Sequence, residues 1–132
     1  MQEEQPTPRY KKILCVEDEH FIGELYARAL TKAGYDVNVV FDGKRGLEEA
    51  KTNKYDIILL DIMVPNINGI ELLKRLRDPN EMPGGLTAKV IITTNLEQKE
   101  EARAEVEAQA DAYIIKAELT PKQLVSFLKS LE

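Results

Sequence analysis

Short apolar runs that alternate with longer, helix-like stretches are the feature of this sequence that most constrains its fold. The runs lie at residues 13–16, 37–41, 57–60, 90–93 and 112–115. Strands that alternate with helices in this way predict a parallel sheet covered by helices on both faces. The first, third and fourth runs are almost continuously apolar, as expected for central strands that are buried on both sides.

The second run differs, because Val37 and Val39 alternate with the polar residues Asp36 and Asn38. Such alternation indicates an edge strand with one wetter face. A second strand at the edge matches the strand order 2-1-3-4-5 of doubly wound sheets. We therefore predict an α/β fold of the flavodoxin-like class, in which five helices flank a five-stranded parallel sheet of this order.

Several residues mark the ends of the predicted helices. Gly34 ends the first helix, after a series of apolar residues. Thr120 and Gln123 have the spacing of a capping box, and Pro121 between them suits the first position of the last helix.

Length and composition limit the possible function. The 132 residues fit one domain, which we place at 11–132 after a flexible tail at 1–10. A net charge of −5 argues against a nucleic-acid surface. Cys15 is the only cysteine, so no internal disulfide can form, which favours a reducing cytoplasm. We find no signal peptide and no segment long enough to span a membrane.

Polar residues follow the predicted strands at the points where they end. In a parallel sheet these positions gather along one edge. Glu17 and Asp18 follow the first strand, and Asp61 follows the third. Thr94 and Lys116 follow the fourth and fifth strands. Ligands of doubly wound sheets bind at the switch point, here between the first and third strands, where the three carboxylates would meet.

Three carboxylates held together repel one another unless a cation joins them. Mg²⁺ suits this site best, because one or two carboxylates, several waters and a phosphate oxygen satisfy it. Lys116 would add a positive charge for an incoming phosphoryl oxygen, and Thr94 a hydroxyl donor for another. Phosphoryl transfer needs little more than an aligned nucleophile and neutralised oxygens. Asp61, alone at its strand end, is our candidate nucleophile.

Four segments of the chain resemble those of response-regulator receiver domains, especially single-domain regulators of the chemotaxis type. They are ILCVEDE, IILLDIMVPNINGIELL, VIITTN and ADAYIIKA, and they cover nearly everything after the tail. The resemblance implies that Asp61 is the phospho-acceptor. It implies that Asp18 is a direct magnesium ligand and that Glu17 is an acidic neighbour acting through water. Met63 would offer only its backbone carbonyl to the metal.

The resemblance also implies a switch in a two-component phosphorelay. Thr94 resembles the switch hydroxyl, Tyr113 the switch aromatic and Lys116 the lysine that contacts the phosphoryl group. A sensor histidine kinase or a phosphotransfer protein would phosphorylate Asp61. The change would then reach a surface made by the fourth helix, fifth strand and fifth helix, which would bind a downstream protein or a second copy of the chain.

Two predicted helices suit recognition of these partners. The fourth, at 96–110, contains only two large apolar residues, one of them Val106, as expected for a weakly anchored and movable element. The first has an apolar arc of roughly 180°, wider than a core face requires. The members of this arc are Phe21, Ile22, Leu25, Tyr26, Ala29 and Leu30. We interpret part of it, at Ile22, Tyr26 or Ala29, as a docking patch for the kinase.

Two residues depart from the pattern of the family. Asn95 follows the switch threonine, where a small residue is usual. Ala117 follows the lysine, where proline is usual and often has a cis bond. A cis bond to alanine would cost roughly 3 kcal/mol, so we expect a loop rebuilt in trans, which bears on how far Lys116 reaches.

Three other classes of function compete with a receiver domain. An aspartate-nucleophile phosphatase would need a second aspartate two residues after Asp61, where Met63 stands, so we do not expect an enzyme. A flavin or dinucleotide site would be repelled by Glu17, Asp18 and Glu19. A degenerate receiver that acts only as an interaction module is the remaining alternative, although it would normally lack one of the site residues. The domain could act alone or belong to a longer regulator.

Overall fold

The computed structural model describes residues 11–95 and 100–131. Its strands are β1 (Lys12–Val16), β2 (Asp36–Val40), β3 (Ile57–Asp61), β4 (Lys89–Thr94) and β5 (Ala112–Ile115). They form one parallel sheet in the order β2-β1-β3-β4-β5. The predicted fold class and strand order are confirmed, and the ends of each strand lie within one residue of the predicted run.

Five α-helices lie in the described part of the chain, together with a short 3₁₀ turn at Lys116–Glu118. They are α1 (His20–Lys32), α2 (Gly43–Ala50), α3 (Gly69–Leu76), α4 (Glu100–Gln109) and α5 (Pro121–Ser130). The predicted tail at 1–10 and the start of the predicted fourth helix, at 96–99, fall outside the described residues. Within the described ranges, none of these helices is both long and apolar enough to cross a membrane.

Side chains of the central strands alternate between two hydrophobic cores, one on each face of the sheet. The core beneath α2, α3 and α4 includes Leu14, Val16, Leu47, Ile58, Leu60, Leu72, Leu73 and Val106. The core beneath α1 and α5 includes Ile13, Cys15, Tyr26, Leu30, Ile57, Leu59, Leu124 and Leu128. Both faces are therefore covered by helices, as a doubly wound sheet requires.

Local hydrogen bonds define the helix ends that the sequence predicted. Gly34 has a φ of 103°, and its N–H donates to the Thr31 carbonyl at 3.0 Å. Glycine adopts this left-handed conformation without a steric penalty, so α1 ends here. At the start of α5, the Gln123 N–H donates to Thr120 Oγ1 at 3.1 Å, and the Thr120 N–H donates to Gln123 Oε1 at 2.8 Å. The capping box is confirmed, and it fixes α5 directly after the 3₁₀ turn.

The outer face of α1 differs from the predicted docking patch. Tyr26 is only 7% exposed and packs in the core beneath α1 and α5, so it cannot belong to a docking surface. The exposed apolar residues of α1 are instead Phe21, at 73%, and Leu25, at 37%. Phe41 lies just past β2 rather than inside it, and its ring stacks on His20 with the ring centroids 3.8 Å apart.

The described side chains of helix α4 contact α3 and β5. Val106 is 2% exposed, and it is the large apolar residue that α4 buries among its described side chains. Arg77, which follows α3, donates through Nε to the Gln109 carbonyl at 2.9 Å. The guanidinium of Arg103 lies 4.8 Å from the ring centroid of Tyr113 in β5. These contacts connect α4 to α3 and to β5.

Candidate functional site

The candidate site lies at the carboxyl edge of the sheet, where β1, β3 and β5 end. Glu17 follows β1, Asp61 is the last residue of β3, and Lys116 follows β5. The side chains of all three are almost completely buried, with exposed fractions of 1%, 3% and 6%. Buried charges need partners, so their burial indicates that they neutralise one another.

Lys116 pairs with both buried carboxylates. Its Nζ lies 2.7 Å from Asp61 Oδ2 and forms a second ion pair with Glu17 Oε1. The other oxygen of Asp61, Oδ1, accepts a hydrogen bond of 3.0 Å from the Met63 N–H. Glu17 Oε2 accepts from the Glu19 N–H at 3.1 Å. The Asp61 carboxylate is therefore held at both oxygens before any ligand arrives.

The electrostatic environment keeps Lys116 charged. Burial alone would lower the pKa of its ammonium, but the hydrogen bonds and charges of Asp61 and Glu17 raise the pKa above its usual value. Burial, together with the charge of Asp61, raises the pKa of Glu17 to about 7 although the contacts with Lys116 and the Glu19 N–H oppose the rise. The pocket therefore concentrates negative charge around a single ammonium group.

A divalent cation fits the remaining side of the pocket. The carboxylate oxygens of Glu17, Asp18 and Asp61 lie within 4.8 Å of one another. Asp18 is exposed while the other two are buried, so the cluster opens towards solvent. Three carboxylates against one ammonium leave an excess of negative charge that a hard cation with oxygen ligands such as Mg²⁺ would balance. Met63 directs its N–H at Asp61, and a role for its carbonyl as a ligand stays a prediction.

Gly69 supports Asp61, and the sequence analysis missed it. A Cβ at this position would lie 2.4 Å from the Asp61 carbonyl oxygen and 2.7 Å from the Ile62 Cα. The Gly69 N–H also donates to the Ile62 carbonyl at 2.9 Å. Only glycine allows α3 to start this close to the end of β3. The signal was the glycine directly after Asn68, whose side chain caps α3 by accepting from the Glu71 N–H.

The predicted switch residues lie on the two neighbouring strands. Thr94 ends β4 and is fully buried, one position beyond Thr93, which pairs with Asp61 in the sheet. Tyr113 lies in β5 opposite Ile92, and its ring is half-buried beneath Arg103. The structure thus brings Thr94 to the same edge as Asp61 and sets Tyr113 between that edge and α4.

Ala117 and Asn95, the two residues that depart from the family pattern, leave the contacts of the site intact. Peptide bonds in the described ranges are all trans, so the Lys116–Ala117 bond is trans as expected. Lys116 still reaches Asp61 from the 3₁₀ turn. The exposed Asn95 side chain lies at the rim, where its Nδ2 is 3.4 Å from Glu19 Oε1.

Comparison with known proteins identifies the family. The sequence profile of the response regulator receiver domain matches residues 13–129. This chain belongs to that family. The acidic cluster of Glu17, Asp18 and Asp61 is consistent with the Mg²⁺ site of a receiver domain.

One curated relative of this receiver domain is response regulator ArlR of Staphylococcus saprophyticus subsp. saprophyticus. The two are 41% identical over 105 residues, which are 80% of this chain and 45% of ArlR. The receiver domain therefore spans about half the length of the relative it matches.

Solved structures give the same assignment. The receiver domain of the Francisella response regulator 1452 has a TM-score of 0.76 and 30% identity, covering 92% of this chain and 95% of that one. The chemotaxis protein CheY4 of Vibrio cholerae has a TM-score of 0.78 and 26% identity, covering 93% of this chain and 99% of that one. The predicted resemblance to receiver domains, including those of the chemotaxis type, is confirmed.

Proposed function

We propose that this receiver domain accepts a phosphoryl group on Asp61 in a two-component phosphorelay, with the help of Mg²⁺. The observation that carries the proposal is the pairing of a buried Asp61 with Lys116 at 2.7 Å inside a cluster of three carboxylates. A structural ion pair would need one carboxylate rather than three. The domain would act as a signalling module in the cytoplasm rather than as an enzyme with its own substrate.

Asp61 would act as the nucleophile. One of its carboxylate oxygens forms a bond to the phosphorus of a phosphohistidine, the nitrogen–phosphorus bond breaks, and the imidazole leaves with the bonding electrons. The Met63 N–H orients the carboxylate, because it already binds Oδ1. Lys116 needs to move only a short way from Oδ2 to contact a phosphoryl oxygen. Mg²⁺ held by Glu17, Asp18, Asp61 and the Met63 carbonyl would neutralise charge on the phosphoryl oxygens.

The phosphodonor would be a sensor histidine kinase or a phosphotransfer protein. Phe21 and Leu25 support this, because they expose apolar surface on α1, whose first turn follows the acidic residues of the site. Apolar side chains exposed beside a reactive group are common in docking surfaces. The net charge of −5 supports protein partners rather than direct contact with nucleic acid.

The direct test uses acetyl phosphate as donor and intact-protein mass as readout. With Mg²⁺ present the full chain is expected to gain one phosphoryl group, and with excess chelator it should gain none, because the carboxylates would repel the donor. A phosphohistidine protein as donor extends the test to docking, where Phe21→Ser should slow transfer and leave acetyl phosphate labelling unchanged. Full labelling in chelator would contradict the metal-dependent mechanism. No labelling under any condition would favour the interaction-only receiver.

The phosphorylated state would switch a surface made by α4, β5 and α5. Thr94 would bind a phosphoryl oxygen, and Tyr113 would move into the space that Thr94 leaves. The contact between Arg103 of α4 and the Tyr113 ring supports coupling of α4 to the switch aromatic. A downstream protein or a second copy of the chain would bind the altered surface.

The switch predicts a definite response to beryllofluoride, which mimics a phosphoryl group. Beryllofluoride should shift amide resonances at Thr94, at Tyr113 and along α4. We expect this because Thr94 and Tyr113 connect Asp61 to the surface that α4 forms. Thr94→Ala should remove the shifts in α4 while phosphorylation of Asp61 continues. Two-dimensional NMR of the labelled protein provides the measurement. Shifts confined to the loops at the strand ends would contradict a surface switch.

A further inference from the structure

A groove between α1 and α5 lies outside the carboxylate cluster. Its volume is about 770 Å³. Small apolar residues form its floor, with Ala29 from α1, Ala33 directly after α1 and Val125 from α5. All three are partly exposed. None of them is used by the proposed phosphoryl transfer, so the groove needs a separate explanation.

Three lysines surround this floor. Lys32 projects from α1, and Lys122 and Lys129 project from α5. All three are exposed, and no acidic residue lines the groove. Within residues 11–95 and 100–131, none of the three ammonium groups forms an ion pair. The charged residues that line this groove are therefore all basic, in a protein whose net charge is −5.

We propose that this groove binds an acidic amphipathic helix of a partner protein. Its apolar stripe would contact Ala29, Ala33 and Val125, and glutamate or aspartate on both sides of the stripe would face the lysines. Charge complementarity identifies the occupant, because the lysines come from both helices and their ammonium groups form no ion pair with any described residue. A nucleic-acid strand matches less well, since it has phosphates but no apolar stripe for the floor.

The basic and apolar residues of the groove lie along the axis of α5. Lys122, Val125 and Lys129 are separated by three and four residues, so they form one stripe on α5. The two lysines are separated by about 10.5 Å along the axis, at 1.5 Å per residue, which is two helical turns. At the C-terminal end of α1, Ala29 and the capping residue Ala33 are four residues apart, and their small side chains let a third helix approach closely. A guest helix would bind along this stripe through its own apolar anchors, which repeat every three or four residues.

The test uses a synthetic helical peptide of about 18 residues, or five turns. It has a leucine stripe flanked by glutamates and alanine elsewhere, and a second peptide replaces each glutamate with lysine. We expect the acidic peptide to shift the amide resonances of Ala29, Lys32, Val125 and Lys129 in the isotopically labelled full chain. The lysine peptide should leave them unchanged.

Two matched variants locate the binding. Lys32→Glu/Lys129→Glu should lower the affinity for the acidic peptide by about tenfold at low salt. The two substituted side chains would repel the glutamates of the peptide instead of attracting them. Lys44→Glu/Lys54→Glu changes the net charge equally but lies outside the groove, and should bind as the wild type does. Phosphoryl uptake measured on the same proteins should not change, so failure here is separable from failure of the proposed function.

Several outcomes would overturn this assignment. Equal binding of both peptides would show that charge does not select the occupant. Undiminished binding by Lys32→Glu/Lys129→Glu, or shifts located elsewhere, would place the peptide on another surface. Groove resonances that move with protein concentration alone would show that a second copy of the chain occupies the groove instead.

Discussion

Asp61→Asn is expected to take up no phosphoryl group from acetyl phosphate, even with excess Mg²⁺. The amide that replaces the carboxylate is a poor nucleophile, and the cluster loses one of its three negative charges. The expected loss is complete rather than partial, because Asp61 is the proposed acceptor and it is the carboxylate whose two oxygens contact the Met63 N–H and Lys116. Intact-protein mass after incubation gives the measurement.

Asp36→Asn is the matched control for this loss. Asp36 is exposed at the start of β2, at the opposite end of the strands from the site. Its variant should be labelled as fully as the wild type, which separates loss of the acceptor from loss of any aspartate. A phosphoryl group on the Asp61→Asn protein would show that the acceptor is another residue.

Lys116→Met is expected to lower the free energy of unfolding by about 3 kcal/mol in the presence of a chelator, at the low end for breaking a buried ion pair. Glu17 and Asp61 would remain buried with no cation between them. We expect a loss of stability at the low end of the range because the pKa of Glu17 is raised to about 7, so this carboxyl can take a proton instead of remaining charged. Urea unfolding at neutral pH measures the difference.

Added Mg²⁺ should restore much of the stability that Lys116→Met loses. A ligand that binds only the folded state stabilises it by about 2.7 kcal/mol at 100 times its dissociation constant. Lys44→Met, which changes an exposed lysine, should stay within about 0.5 kcal/mol of the wild type under both conditions. If Lys116→Met is as stable as the wild type in chelator, the ammonium is not what neutralises the buried carboxylates.

The sequence predicted the sheet and the positions of the carboxylates because both depend on local patterns. Apolar runs located the strands, and the residues after them located Glu17, Asp18 and Asp61 along one edge. The pairing of Lys116 with two carboxylates was not predictable, since it depends on how far a flexible side chain reaches from a loop rebuilt in trans.

The prediction that Tyr26 belongs to a docking patch on α1 was wrong because it also depended on contacts that are distant in the sequence. Helical periodicity shows that Tyr26 belongs to an apolar arc, but it does not show which part of the arc a neighbour covers. Packing beside α5 and the central strands buries Tyr26 and leaves Phe21 exposed. Gly69 was missed because its role depends on the close approach of α3 to the Asp61 carbonyl, a distance that no local pattern contains.

The alternation of β3 between two cores restricts where this chain can gain or lose residues during evolution. Ile58 and Leu60 face one core and Ile57 and Leu59 the other, so a single inserted residue would exchange their faces and turn Asp61 away from Lys116. The connection between α3 and β4 has no such alternation at Gly84 and Gly85, where a Cβ would meet no atom within 4 Å, although both residues have a positive φ that favours glycine. Among descendants of this sequence, insertions and deletions should therefore collect in that connection, while the strands keep a constant length.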